Sequence, residues 1–177
     1  FEELLTTIVY QQLHGKAAAS IYRRVLGLFG IEPRADSSVD GLCPTPEMVL
    51  TKSKTELRSA GLSEKKAEYM LGLASAFNDG TINPDEFGEL TDEELMNKLV
   101  ALKGIGAWTV HMFMMFYLRR PDVLPVGDLG VQRGMCELFK QPNTEEEDEE
   151  EEKMTLLAEP WRPYRSYAAW YMWRLTD

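Results

Sequence analysis

Two short stretches of this sequence carry residue types that can do chemistry. The first is Leu99-Val100-Ala101-Leu102-Lys103-Gly104-Ile105-Gly106-Ala107-Trp108-Thr109. It reads as a helix, a tight turn and a second helix. Glycine at both turn positions permits positive φ and lets an outside group approach bare backbone. The N–H groups that open the second helix sit at its positive dipole end, which suits a phosphate. Ile105 would plug between the two helices. Read alone, the stretch also fits a plain helix–helix turn. The second stretch begins 19 residues after Gly106 and runs Pro125-Val126-Gly127-Asp128-Leu129-Gly130-Val131-Gln132-Arg133. Asp128 stands where a helix N-cap is expected, and as a cap alone it is worth about 1 kcal/mol. A capping carboxylate is also held ionised by backbone N–H groups. An ionised, oriented carboxylate beside a groove can stabilise a developing oxocarbenium ion or orient water.

The elements that position these residues are helical nearly throughout. Phe1, Leu4, Leu5, Ile8 and Leu13 follow three- and four-residue spacing. Ala18, Ile21, Tyr22, Val25, Leu26 and Phe29 form a second such segment that stops at Gly30. Residues 31–44 read as a loop. Thr45-Pro46 is an N-cap followed by proline in the first turn, Ser53 caps a short helix ending at Gly61, and Ser63 opens a helix to about Asn78. Thr91-Asp92-Glu93-Glu94 is a capping box, which predicts a helix over 92–102. A strongly apolar helix is expected from Ala107 to about Arg119, and Pro121–Gly127 is a connector short enough to fold back and bring Asp128 near the start of that helix. Further helices are expected over Leu129–Lys140 and Tyr164–Leu175. No strand pattern of any length is present, so the expected fold class is all-α.

The chain has 177 residues and a net charge of −10. That charge is unevenly placed, because Glu145 to Glu152 are eight consecutive acids. Without them the balance is 21 acids against 19 Lys and Arg, a net of −2. The body is close to neutral, so the overall charge does not argue against a polyanionic partner. The acidic stretch, 143–153, is expected to be a solvated, mobile loop. No apolar run approaches the roughly 20 residues of a membrane span. Cys43 and Cys136 are too few for a disulfide framework, a four-cysteine zinc site or an iron–sulfur cluster, and a reducing compartment is the default. The chain opens on Phe-Glu-Glu-Leu-Leu without an initiator Met and reads as a fragment.

Gly-Ile-Gly-x-Trp-Thr, a long apolar helix, then Pro-x-Gly-Asp-Leu-Gly and Arg133 together resemble the helix-hairpin-helix DNA glycosylases. The resemblance is closest to the 3-methyladenine branch of bacteria, fungi and plants. It extends through Ile8-Val9-Tyr10-Gln11-Gln12-Leu13-His14, Ala60-Gly61-Leu62-Ser63-Glu64-Lys65-Lys66-Ala67 and Trp161-Arg162-Pro163-Tyr164-Arg165-Ser166-Tyr167-Ala168. It covers nearly all of 1–177 as one catalytic region and implies two helical lobes flanking a DNA-binding cleft. On this resemblance Asp128 is the catalytic aspartate, and Gly104, Ile105 and Gly106 form the phosphate-binding hairpin. The backbone carbonyls of Val100, Leu102 and Ile105 would hold a structural sodium or potassium ion, and catalysis would need no cofactor. Leu13 would fill the gap left by an extruded nucleotide, with His14 reaching the minor groove. Trp108, Phe116, Tyr117 and Trp173 would line the base pocket. An ordinary surface histidine and ordinary aromatic packing remain open for these residues.

Two absences point to the subclass that the resemblance implies. Bifunctional members of the superfamily place a nucleophilic lysine at the second residue after the hairpin's last glycine, and here that residue is Trp108. No cysteine follows Cys136, so the C-terminal four-cysteine cluster of endonuclease III is missing. Both imply a monofunctional enzyme that uses water. The implied activity is flipping and hydrolytic excision of N-alkylated purines such as 3-methyladenine or 7-methylguanine from double-stranded DNA, in base excision repair, with no ranking among substrates set by the sequence. The expected protein is a monomer in the nucleus, or in the cytoplasm and nucleoid of a bacterium. Two other readings stay open: a non-catalytic helix-hairpin-helix DNA-binding module, and a helical interaction domain whose acidic run is the working part.

Overall fold

In the computed structural model, residues 1–34, 39–140 and 147–176 are described. All regular elements among them are helical, as the periodicity predicted. The chain divides into two compact units, Phe1–Gly106 and Ala107–Asp177.

The first unit contains α1 (Glu2–Tyr10), α2 (Gly15–Gly27), α3 (Pro46–Leu50), α4 (Lys54–Ser59), α5 (Glu64–Asn78) and α6 (Asp92–Val100). Local signals fix most of the starts. Thr45, Ser53, Ser63 and Thr91 each accept a hydrogen bond from the backbone N–H three residues on, and Ser53–Glu56 and Thr91–Glu94 close reciprocal capping boxes. Long α5 packs against α1, α3 and α4. Leu4, Leu5, Ile8, Tyr22, Leu26, Leu57, Met70, Leu73, Leu95 and Leu99 are fully buried. Burying each such side chain contributes about 1.5–3 kcal/mol. The first stripe ends earlier than its spacing suggested. Helix α1 stops at Tyr10, and Leu13 lies in the turn beyond it.

The second unit contains α7 (Ala107–Met112), a π-helical turn (Phe113–Tyr117), α8 (Leu129–Phe139), α9 (Glu147–Leu157) and α10 (Arg165–Leu175). The apolar helix expected to reach Arg119 is therefore not regular. Leu118 N–H reaches back five residues to Phe113 O at 3.0 Å, and Arg119 ends the segment at φ 56°. Five consecutive large apolar residues cannot share one α-helical face. The wider turn buries Phe113, Met114 and Met115 and leaves Phe116 and Tyr117 exposed. Such π turns are common at functional sites.

The acidic stretch requires a correction. The mobile loop expected over 143–153 is helix from Glu147 onward, while 143–146 lie outside the described residues. Glu150, Met154 and Ala158 recur every four residues and are all buried. Glu150 pairs with Lys153 at 3.5 Å. The helical period was present beneath the charge, and one paired glutamate accompanies its apolar face inward. No described helix is long and apolar enough to cross a membrane.

Candidate active site

Asp128 is the N-cap of α8, and its Oδ1 accepts the Val131 N–H at 2.9 Å. It does more than cap. Trp173 Nε1 donates to the same oxygen at 2.7 Å, and Trp108 Nε1 donates to Oδ2 at 2.7 Å. One carboxylate thus holds two indoles that lie 20 positions before it and 45 after it. The fold-back expected of the connector is what brings Trp108, near the start of α7, to Asp128.

Burial pushes the Asp128 carboxyl up. The Trp108 and Trp173 indoles and the Val131 and Gly130 N–H groups outweigh it and hold the pKa below the usual carboxylate value. The group is an anion at neutral pH and a weak base. Its folded pKa is depressed, so its contribution to stability is present above the ordinary aspartate value of about 3.9 and is lost as pH falls through the folded value. Any reaction that needs this anion should keep its acid limb below the ordinary carboxylate range. A pH–rate profile with an Asp128-dependent inflection near neutrality would contradict that.

The aromatic residues divide. Phe116, 60% exposed, stacks on Trp173 with centroids 5.9 Å apart. Trp108 is half exposed. Two of the three rings donate to the Asp128 anion, and the third stacks on one of them, with Trp108 and Phe116 exposed to solvent. Tyr117 is instead engaged with Phe113, centroids 5.0 Å apart. A base could stack on the Trp108, Phe116 and Trp173 group, and a cationic one would gain about 0.5–2 kcal/mol per good ring contact.

The connector is held by residues to which sequence reasoning gave no role. Asp122 accepts both Nε and Nη2 of Arg165, and Arg162 Nη1 adds a third charged donor at 2.9 Å. Burial raises the Asp122 pKa, but the two arginines and the Arg165 N–H lower it further, so it too is a stable anion. Ser166 Oγ donates to Arg120 O and accepts the Val123 N–H, and its own N–H donates to Pro121 O. The Arg-Ser-Tyr-Ala stretch therefore fixes the path that delivers Asp128. Its presence in the sequence was visible. Its partner, Asp122, had no local mark.

In the first unit, Gly104 has φ 88°, which only glycine adopts freely. A Cβ there would lie 2.3 Å from the Tyr69 ring. Gly106 differs from expectation, since its φ is not positive. Open space surrounds its α-carbon, so an outside group can reach the backbone there. Ile105 is buried, as a plug should be. Leu13 is 39% exposed, as a side chain that enters DNA must be, although a single exposed leucine is common. His14 is exposed at the N-cap of α2, and its side chain makes no capping hydrogen bond.

The chain is 36% identical to DNA-3-methyladenine glycosylase 1 of Schizosaccharomyces pombe, over 98% of this chain and 71% of that protein. It is 30% identical to DNA-3-methyladenine glycosylase 2 of Escherichia coli, over 98% of this chain but 56% of that protein. Among solved structures, a DNA-3-methyladenine glycosidase from Bacillus halodurans matches with TM-score 0.83 and 36% identity, over 97% of this chain and 72% of that one. The 3-methyladenine DNA glycosylase of S. pombe in complex with abasic DNA matches with TM-score 0.72 and 34% identity, over 98% and 78%. Residues 5–163, which include the glycine turn, the capping aspartate and both connector arginines' partner Asp122, match one family throughout, and the chain belongs to the HhH-GPD superfamily of base excision DNA repair proteins.

Proposed function

We propose that this chain is the catalytic region of a monofunctional DNA glycosylase that hydrolyses the N-glycosidic bond of N-alkylated purines in duplex DNA. The observation that carries this reading is the Asp128 carboxylate held between the Trp108 and Trp173 indoles. Alkylation at N3 or N7 puts positive charge on the purine. When C1′–N breaks, the electron pair goes to the base, which leaves neutral. The cation forms on the sugar, and Asp128 stabilises it there. Water then adds to C1′ and releases a proton to solvent. A weakly basic Asp128 suits this order, because the anion is needed before any proton has to move. The residue in the lysine position, Trp108, donates to Asp128 and offers no amine to the sugar.

The Gly104–Gly106 turn would receive a phosphate, and Leu13 and His14 would enter the duplex from the turn after α1. The donor set at the hairpin fits a sodium or potassium ion. Val100 ends α6, Leu102 and Ile105 follow it in the turn, and the Leu102 carbonyl also accepts the Ile105 N–H at 3.1 Å; neutral oxygens of this kind suit a hard cation. Bound there, the ion would supply positive charge beside the phosphate. The enzyme acts as a monomer wherever chromosomal DNA lies, in a nucleus or a bacterial nucleoid.

Chromatography of bases released from methylated duplex DNA tests the reading. Free 3-methyladenine is expected, with 7-methylguanine as a second product, and no covalent enzyme–DNA adduct should be trapped when borohydride is present during turnover. Release of no alkylated base would sink the proposal. A borohydride-stable adduct would replace water by an amine nucleophile and overturn the monofunctional assignment.

A further inference from the structure

Two hydrogen-bond systems in the Phe1–Gly106 unit take no part in the chemistry above, and both end on the turn that follows α1. From α5, Lys66 Nζ donates to the carbonyls of Val9 and Gln11, at 2.7 Å each. These oxygens lie at the C-terminal end of α1, where the helix itself leaves carbonyls unpaired. The next residue, Gln12, is left-handed at φ 55°, which is uncommon for a residue with a side chain. Such a conformation persists where its surroundings over-determine it. Leu13 and His14, both exposed, follow directly.

Gln11 also reaches the other way. Its Nε2 donates to Gly104 O at 2.8 Å, across 93 positions of chain. The Tyr69 ring, also on α5, closes the space beside the Gly104 α-carbon. The glycine turn is therefore pinned by a ring on one side and by an amide on the other. The same α5 that carries Tyr69 carries Lys66, so one helix supports both turns.

We propose that Gln11 and Lys66 are positioning residues that hold the Gln12–His14 turn in fixed register with the Gly104–Gly106 turn, so that phosphate grip and entry of residue 13 into the duplex occur as one event. This rests on reading both turns as DNA contacts. Extruding a paired base needs the two contacts together, because the phosphate must be held while the stack is filled. A base that is already unpaired costs less to extrude and needs the register less.

The test compares single-turnover release of the same alkylated purine from fully paired duplex and from a bulge, with melting temperature measured alongside. Gln11→Glu keeps the side-chain length but turns a donor into an acceptor facing a carbonyl. Lys66→Met keeps most of the stem and removes the donors, and Lys66→Arg restores them. Gln11→Glu is expected to slow release from paired DNA about tenfold and from the bulge less than about threefold, the scale of one lost hydrogen bond felt fully in one substrate and slightly in the other. Lys66→Met should follow the same pattern, with Lys66→Arg recovering most of the loss. Equal losses on both substrates, or no loss on either, would overturn the proposal. Should Lys66→Met not fold, Gln11→Glu decides alone. If the wild-type chain releases no base from either DNA, the glycosylase reading fails, and the register is then read from affinity for paired and bulged DNA with the same two outcomes.

Discussion

Asp128→Asn is expected to slow base release by about 100-fold or more, the scale for losing a major electrostatic stabiliser, while DNA affinity stays within a few-fold. The change keeps shape and removes charge. The hydrogen bonds sharpen the expectation. Oδ1 of the new amide can still accept from Val131 and Trp173, so the cap of α8 survives. The amide nitrogen would then face Trp108 Nε1, and two donors cannot pair. Trp108 must move or lose its partner. Trp108→Phe isolates that part of the effect, since it removes one donor and leaves the carboxylate charged. Its loss should be nearer tenfold, as for one hydrogen bond to a charged group. Single-turnover excision and a melting curve on each variant make the comparison. Near-normal turnover in Asp128→Asn would reduce Asp128 to a helix cap and remove the proposed mechanism with it.

What was legible in the sequence was what is local. The caps at Thr45, Ser53, Ser63 and Thr91 are three-residue patterns and hold in the structure. The Asp128 cap is of the same kind, and the short connector after an apolar helix implied its return toward Trp108. The π turn was not legible, because Phe-Met-Met-Phe-Tyr carries no sign of which residues turn inward until the core is assembled. Charge hid α9. Eight acids outweigh to the eye a buried face of Glu150, Met154 and Ala158 that shows only one residue in four. The locks were invisible for another reason. Gln11 meets Gly104 and Asp122 meets Arg165 across 93 and 43 positions, and such pairs are set by packing, which leaves no periodic trace. The motifs contained both members of the first pair and Arg165 of the second, without marking either as a contact. A polar residue inside a motif with no chemical task is therefore a reasonable place to look for a positioning role.

The packing of α8 on α10 carries the second large expectation, Gly134→Ala. Gly130 and Gly134 are four residues apart on α8 and face α10. A Cβ at Gly134 would lie 2.4 Å from Met172 O and 2.6 Å from Met172 Cβ. The obstacle at the first of these is backbone, so no side-chain rotation relieves it, and the two helices must separate locally. Overpacking of this kind costs about 1–3 kcal/mol. For a protein of this size each kcal/mol lowers Tm by about 2–4 °C, so a fall of roughly 2–12 °C is expected. Activity should fall beyond what stability alone explains. Asp128 caps α8 and Trp173 rides on α10, so separating the helices lengthens the Asp128–Trp173 hydrogen bond. Gly130→Ala provides the contrast. Its Cβ would meet the Trp173 ring at 2.6 Å, a side chain that can turn away from its stack on Phe116. That variant should keep more of its Tm and still lose base release, with the change in Trp173 environment read from tryptophan fluorescence. A Gly134→Ala protein with wild-type Tm and turnover would show that the α8–α10 contact yields freely, and that the geometry at Asp128 does not depend on it.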